Sequence, residues 1–182
     1  MQPIKHLMQT LAELASPEHY LFTSTDLRAL LPSLSDGAFK TLLSRAAADS
    51  SLARVCRGLY LYERVAFPRG ELLFHAAARL RADTFNYISL ETALSDAGVI
   101  SQMAINSISL MSSGRSNRIA CDGWGTIEFG HTRTHPSDLV DQLHYDARCH
   151  LWRASPALAM QDLKTTRRSL DLVNWSAVNE FV

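Results

Sequence analysis

The sequence predicts an α+β fold in two parts, a helical start that runs into a short β-hairpin and a longer part in which helices and strands alternate. Three observations carry this expectation. Apolar residues recur at helical spacing through residues 1–50, alternation of period two takes over at 52–63 and again across 108–131, and a Ser-Pro start at 155 returns the chain to helical spacing. With 182 residues, 47% of them hydrophobic, the chain can bury the core of one large domain or two small ones.

In "IKHLMQTLAELAS" the residues Ile4, Leu7, Met8, Leu11 and Leu14 form one stripe, so a first amphipathic helix is expected, ending before Pro17. "FTSTDLRALLP" offers Ser24 or Thr25 as the cap of a two-turn helix closed by Pro32. "LSDGAFKTLLSRAAADSS" then places Ser35 at an N-cap and Asp36 in the first turn, where a carboxylate is favoured by the helix dipole. A tight turn separates these last two helices.

A step of about 100° per residue puts Phe39, Leu42, Leu43 and Ala46 on one side of the third helix. Gly37, Lys40, Thr41, Ser44 and Ala48 fall opposite, with Arg45 at their flank. Small side chains permit close approach to a DNA groove, and Lys, Thr, Ser and Arg reach phosphates or base edges. A solvated helix face has the same composition, so the context decides.

That context is "LARVCRGLYLYE". Residues 52–55 and 59–63 read as two strands joined at Arg57-Gly58, where glycine takes the positive φ that a tight hairpin needs. Tyr60, Leu61 and Tyr62 are expected to pack, as is Cys56. Three helices followed by a two-stranded hairpin with arginines near its tip is the order of a winged helix-turn-helix. In that arrangement Lys40, Thr41, Ser44 and Arg45 face the groove while Arg54 and Arg57 reach the phosphate backbone or the minor groove. Charge agrees: the formal net charge is zero, yet residues 37–64 hold Lys40, Arg45, Arg54, Arg57 and Arg64 against Asp49 and Glu63 alone.

From residue 70 the texture changes, so the expected domains are 1–69 and 70–182. "GELLFHAAARLRAD" reads as a helix with Leu72, Leu73, Ala76, Ala77 and Leu80 inward. "NYISLETALSDAGVIS" is expected to begin extended, to cap a helix at Ser89 with Leu90, Ala93, Leu94 and Ala97 inside, and to end at Gly98. Ile108 and Leu110, then 118–121, then Ile127, Phe129 and His131 form a small antiparallel sheet in this reading. Ser155 and Pro156 open two last helices, broken near Leu172 and Asn174.

The combination of "RGLYLY" after the helices, "YISLETALSDAGVIS", "GTIEFGHT" and "LWRASPALAMQDL…RRSLDLVNW" resembles the AbiEi family of antitoxins from bacterial type IV toxin–antitoxin systems over nearly the whole chain, most specifically across 87–102. The resemblance implies an autoregulatory repressor that binds repeats in its own promoter DNA, with a C-terminal domain that counteracts a nucleotidyltransferase-like toxin. DNA binding then falls on Lys40, Thr41, Ser44, Arg45, Arg54 and Arg57. Arg79, Arg81, Arg115 and Arg118 are the C-terminal interaction candidates. The alternative is a protein-interaction module whose winged helix meets a protein instead of DNA.

Catalysis is not expected. There is no Walker loop, GxGxxG or GxSxG, and "SSGRSN" at 112–117 reads as a turn. His131, His135, Asp138, Cys121, Cys149 and His150 fit no metal-ligand spacing, Asp122 and Glu128 fit no catalytic carboxylate pair, and Cys56, Cys121 and Cys149 form no CxxC, so neither cofactor nor metal is expected. No apolar stretch approaches the roughly 20 residues of a membrane span. "MQPIKHLMQTLAELAS" is too polar for a signal peptide, which makes the expected location cytoplasmic. No heptad pattern decides between monomer and dimer.

Overall fold

A computed structural model describes residues 2–101 and 106–181. Among them the fold is mixed α+β, with a three-stranded and a six-stranded sheet, and the chain divides into two compact units, Met1–Leu72 and Leu73–Val182. Of the stretch 87–102, Gln102 lies outside the described residues. No described helix is long and apolar enough to cross a membrane.

In the first unit α1 (Pro3–Leu14) buries Leu7 and Leu11, while Leu14, expected on the same stripe, is 48% exposed because it sits in the last turn beyond the core. β1 (Leu21–Thr23) leads directly into α2 (Ser24–Leu30). The cap of α2 is Thr23, not Ser24 or Thr25. Thr23 Oγ1 accepts from the Asp26 amide at 3.1 Å, and Asp26 Oδ2 accepts from the Thr23 amide at 2.7 Å. The reciprocal pair satisfies two amides that the helix leaves unbonded, which fixes the start one residue early. α3 (Asp36–Ala48) is capped by Ser35, as its sequence predicts.

β2 (Ala53–Cys56) and β3 (Leu59–Leu61) pair antiparallel across Arg57-Gly58, with Gly58 at φ +79°. The expected two-stranded hairpin is incomplete. β1 adds to the other edge of β3, with Leu21 opposite Leu61 and Thr23 opposite Leu59. A three-residue strand abutting a helix cap carries no period-two signal of its own. Between the sheet and the helices lies one core of Leu7, Leu11, Phe22, Leu27, Phe39 and Leu43, closed by Tyr60 and Tyr62.

One side chain spans the turn between α2 and α3, where the Leu34 amide also donates to the Leu31 carbonyl at 3.3 Å. Arg28 donates from Nη1 to the Leu31 carbonyl and from Nη2 to the Leu34 carbonyl, both at 2.7 Å, and its guanidinium lies 5.3 Å from the centre of the Phe39 ring. Carbonyls at a helix end have no partner within the helix, so this one cation closes the turn from both sides.

The second unit is built on a sheet of order β6-β7-β5-β4-β9-β8. Its strands are β4 (Asn86–Ile88), β5 (Ser107–Ser112), β6 (Asn117–Cys121), β7 (Gly125–His131), β8 (Leu143–Asp146) and β9 (Leu151–Ala154). The expectation of a small antiparallel sheet is corrected here: β5 runs parallel to β7 and β4 parallel to β9. Parallel neighbours come from segments far apart in the chain, which local alternation does not register.

Helices cover both faces of this sheet. Ser109 exchanges bonds with Thr92 of α5 (Leu90–Asp96), whereas Ser112, three residues on and therefore on the opposite face, accepts from Arg81 just beyond α4 (Leu72–Leu80). α6 (Pro156–Thr165) joins the α5 face through Asp162, whose Oδ2 accepts from Ser89 Oγ at 2.7 Å and from the Tyr87 hydroxyl at 3.0 Å. Burial pushes the Asp162 carboxyl up, against the pull of those two donors. Ser89 precedes α5 as expected, but its hydroxyl is committed to Asp162 and does not cap the helix. The expected late break also shifts: α6 ends at Thr165, and Asn174 caps the short α7 (Trp175–Val178).

Arg28→Ala should lower stability by about 2 kcal/mol, since two carbonyls lose a charged donor together. Denaturant unfolding measures it, and a loss below about 0.5 kcal/mol would show that solvent serves those carbonyls equally well.

A second expectation concerns Asp146, which accepts from Arg153 at 3.0 Å in the second unit. Burial pushes its carboxyl up, but donation from Arg153 and Arg148 outweighs burial and holds it at about 2. Its folded value lies below the unfolded value near 3.9, so its contribution is full above about pH 4 and lost as pH falls toward 2. Asp146→Asn should therefore trail the parent by about 2 kcal/mol near pH 6, with the difference closing as the pH approaches 2. A difference that stays constant over that range would contradict the assignment.

Candidate nucleic-acid interface

α3 separates its residues cleanly by exposure. Phe39, Leu43 and Ala46 are buried, and Leu42 is half-buried beside them. Gly37, Ala38, Lys40, Thr41, Ser44, Arg45 and Ala48 are exposed. Four of the predicted site residues, Lys40, Thr41, Ser44 and Arg45, thus share the exposed side of one helix whose other side is locked into the core. The only acid among the residues of α3 is Asp36, in its first turn, which meets Arg28 at 3.4 Å. The face that follows it is small, polar and cationic.

Arg54 and Arg57 are exposed as well, Arg54 on β2 and Arg57 in the turn. The register slips between Arg54 and Cys56, a bulge that places an extra residue, Val55, in β2 before the turn. Gly58 gives the turn its positive φ, and its carbonyl accepts from the Ser24 amide at 2.9 Å. The tip of the hairpin is thereby tied to the first residue of α2.

A groove of about 480 Å³ borders α3. It is lined by Pro3 and Ile4 of α1, by Leu34, and by Ala38, Leu42 and Arg45. Its floor is apolar and its rim carries Thr41, Arg45 and Asp49.

The C-terminal candidates divide. Arg115 is exposed in the loop before β6, and Arg118 is exposed on β6 opposite Glu128 of β7. Arg79 is half-buried in the last turn of α4. Arg81 is engaged internally, its guanidinium 4.0 Å from the centre of the Phe129 ring and its Nη1 donating to Ser112 Oγ at 3.0 Å. Sequence reasoning missed Arg168, which chelates both oxygens of Glu91 at 2.8 and 2.9 Å and also bonds Glu128. Partners 77 and 40 residues away leave no local pattern to read.

The histidines and cysteines weighed as ligands are dispersed in structural roles. His131 Nδ1 bonds the Gly114 carbonyl at 2.7 Å, His135 Nδ1 meets Ser137 Oγ at 2.8 Å, and His150 stacks on His75 with ring centres 4.2 Å apart. Cys56, Cys121 and Cys149 are all buried and unbridged. Among the described residues no group of three or more His, Cys, Asp or Glu stands close enough to hold a metal ion. Asp122 is exposed on the turn after β6, and Glu128 is bound to Arg168.

In comparisons with known proteins, no family model and no curated protein matches the chain.

Proposed function

We propose that the Met1–Leu72 unit is a winged helix-turn-helix that binds double-stranded DNA, with α3 in the major groove and the β2–β3 hairpin as the wing. The observation that carries this reading is the exposed face of α3. Six of its exposed residues, Gly37, Ala38, Thr41, Ser44, Lys40 and Arg45, are either small enough for close approach or able to donate to phosphates and base edges. Exposed Arg54 and Arg57 on the adjoining hairpin add two cations suited to the backbone. Following the resemblance to AbiEi antitoxins, the chain is a non-catalytic, autoregulatory repressor acting on repeats in its own promoter in the cytoplasm. The Leu73–Val182 unit counteracts a nucleotidyltransferase-like toxin, with Arg115 and Arg118 as its exposed interaction candidates.

The groove between α1 and α3 favours a second reading, in which this unit meets a protein. An apolar floor beside a helix suits an amphipathic partner segment better than a phosphate backbone does.

Binding to the DNA upstream of its own gene, compared with scrambled DNA of equal length over a salt series, separates the two. The DNA reading expects a specific complex whose affinity falls steeply with salt. Arg57→Ala should weaken both DNAs alike and reduce the slope of log affinity against log salt by about 1. Thr41→Ala or Ser44→Ala should instead change the preference between sequences, by about 1–3 kcal/mol at the base contacted. Equal, weak binding to both DNAs would overturn the DNA reading in favour of the protein partner.

A further inference from the structure

The outer strand β8 has the stereochemistry of one half of a two-fold interface. It is last in the sheet order, paired only with β9 among the described strands. Ser155 N donates to the Gln142 carbonyl at 2.8 Å, which sets the alternation of the ladder. Directly opposed residues exchange both bonds at every second pair, so 144 with 153 and 146 with 151 are the bonded pairs. Leu143 and Tyr145 therefore turn their amides and carbonyls outward, away from β9.

An edge of this kind is ordinarily guarded by brevity, a lysine, a proline, a bulge or an inward charge, and of these β8 has its brevity, at four residues. β8 reads Leu-His-Tyr-Asp and pairs with β9 without a slip in register. Its one carboxylate, Asp146, is already neutralised by Arg153 and Arg148. The opposite edge is different, since β6 carries exposed Arg118. Apolar surface gathers beside β8: Val140 is 61% exposed, Tyr145 54% and Trp152 39%, the last two in edge-to-face contact at 5.5 Å.

We propose that β8 pairs antiparallel with β8 of a second copy of this chain, joining two six-stranded sheets into one. The occupant follows from the strand itself. With the two-fold axis at Tyr145, its outward amide and carbonyl meet those of Tyr145 of the second copy, which makes a bonded pair of the required parity. His144 then stands opposite Asp146 of the second copy, and the reverse, in the non-bonded pairs where side chains approach most closely. The strand is self-complementary in hydrogen bonding, as an isologous contact demands. The two tyrosines and their tryptophans form a continuous aromatic strip along one face of the joined sheet.

This inference rests on the second unit alone, and its test is made without DNA. Light scattering of the purified chain should give twice the mass of one chain. Tyr145→Lys, which puts a cation on each side of the axis at a half-exposed position, should give single-chain mass with an unchanged circular dichroism spectrum. Tyr145→Cys should form a disulfide-linked dimer on mild oxidation, because bonded antiparallel pairs stand about 5.5 Å apart at Cα, within disulfide reach. The three native cysteines are buried and do not compete. A parent chain of single-chain mass would overturn the proposal. So would a dimer that survives Tyr145→Lys, or a Tyr145→Cys chain that oxidises without cross-linking.

Discussion

The carbonyls of Leu31 and Leu34 lie where one helix has ended and the next has not begun, so neither belongs to a ladder. Arg28 donates to both, and its guanidinium also covers the edge of the core at Phe39. The turn from α2 to α3 is thus spanned by a rigid planar fork with fixed donor directions, which a lysine at the same position would not reproduce. Every exposed residue of α3 inherits its direction from that turn. Phe39, Leu43 and Ala46 anchor the opposite face, so rotation of the helix about its own axis is closed off as well.

The second unit sets a few buried polar contacts within an apolar core that includes Ile88, Leu94, Leu110, Ile127 and Phe129. Ser109 and Thr92 bond each other through main chain and side chain, and Asp162 gathers Ser89 and Tyr87. Buried groups of this kind cost stability unless all are satisfied, and that requirement leaves α5 and α6 little choice of position on the sheet. Leu90 takes φ +55° immediately after Ser89, fully buried, a conformation unfavourable for leucine that the surrounding bonds impose. Beside it, Gly130 makes room for Met111: a β-carbon there would stand 2.8 Å from Met111 Sδ, while Leu90 Cδ1 at 3.6 Å would be in ordinary contact.

Legibility followed the range of the interaction. Helices α1 and α3 were readable because each buries one stripe of its own sequence, and the turn at Gly58 because positive φ selects glycine locally. The exposed side of α3 was legible for the same reason: placing Phe39, Leu43 and Ala46 inside determines where Lys40, Thr41 and Ser44 point. β1 was not legible, because three residues carry no measurable period and their pairing with β3 lies almost 40 residues downstream in register. The parallel pairs β5–β7 and β4–β9 were hidden likewise, since alternation marks a strand and not its neighbour. Among the candidate arginines, Arg81 and Arg118 look alike in sequence. Only the Phe129 ring and the Ser112 hydroxyl, both distant in the chain, separate the half-buried, engaged cation of Arg81 from the exposed one of Arg118.

The bond from the Ser24 amide to the Gly58 carbonyl has a thermodynamic consequence. A hairpin tip hinged only through its own two strands would sample many orientations and lose them on meeting a partner, an entropic penalty set against every contact it makes. Here the tip is latched to a helix start that is itself fixed by the Thr23–Asp26 pair. Much of that ordering is completed during folding, so the backbone that carries Arg57 is preorganised and would lose little conformational entropy if this edge met a partner.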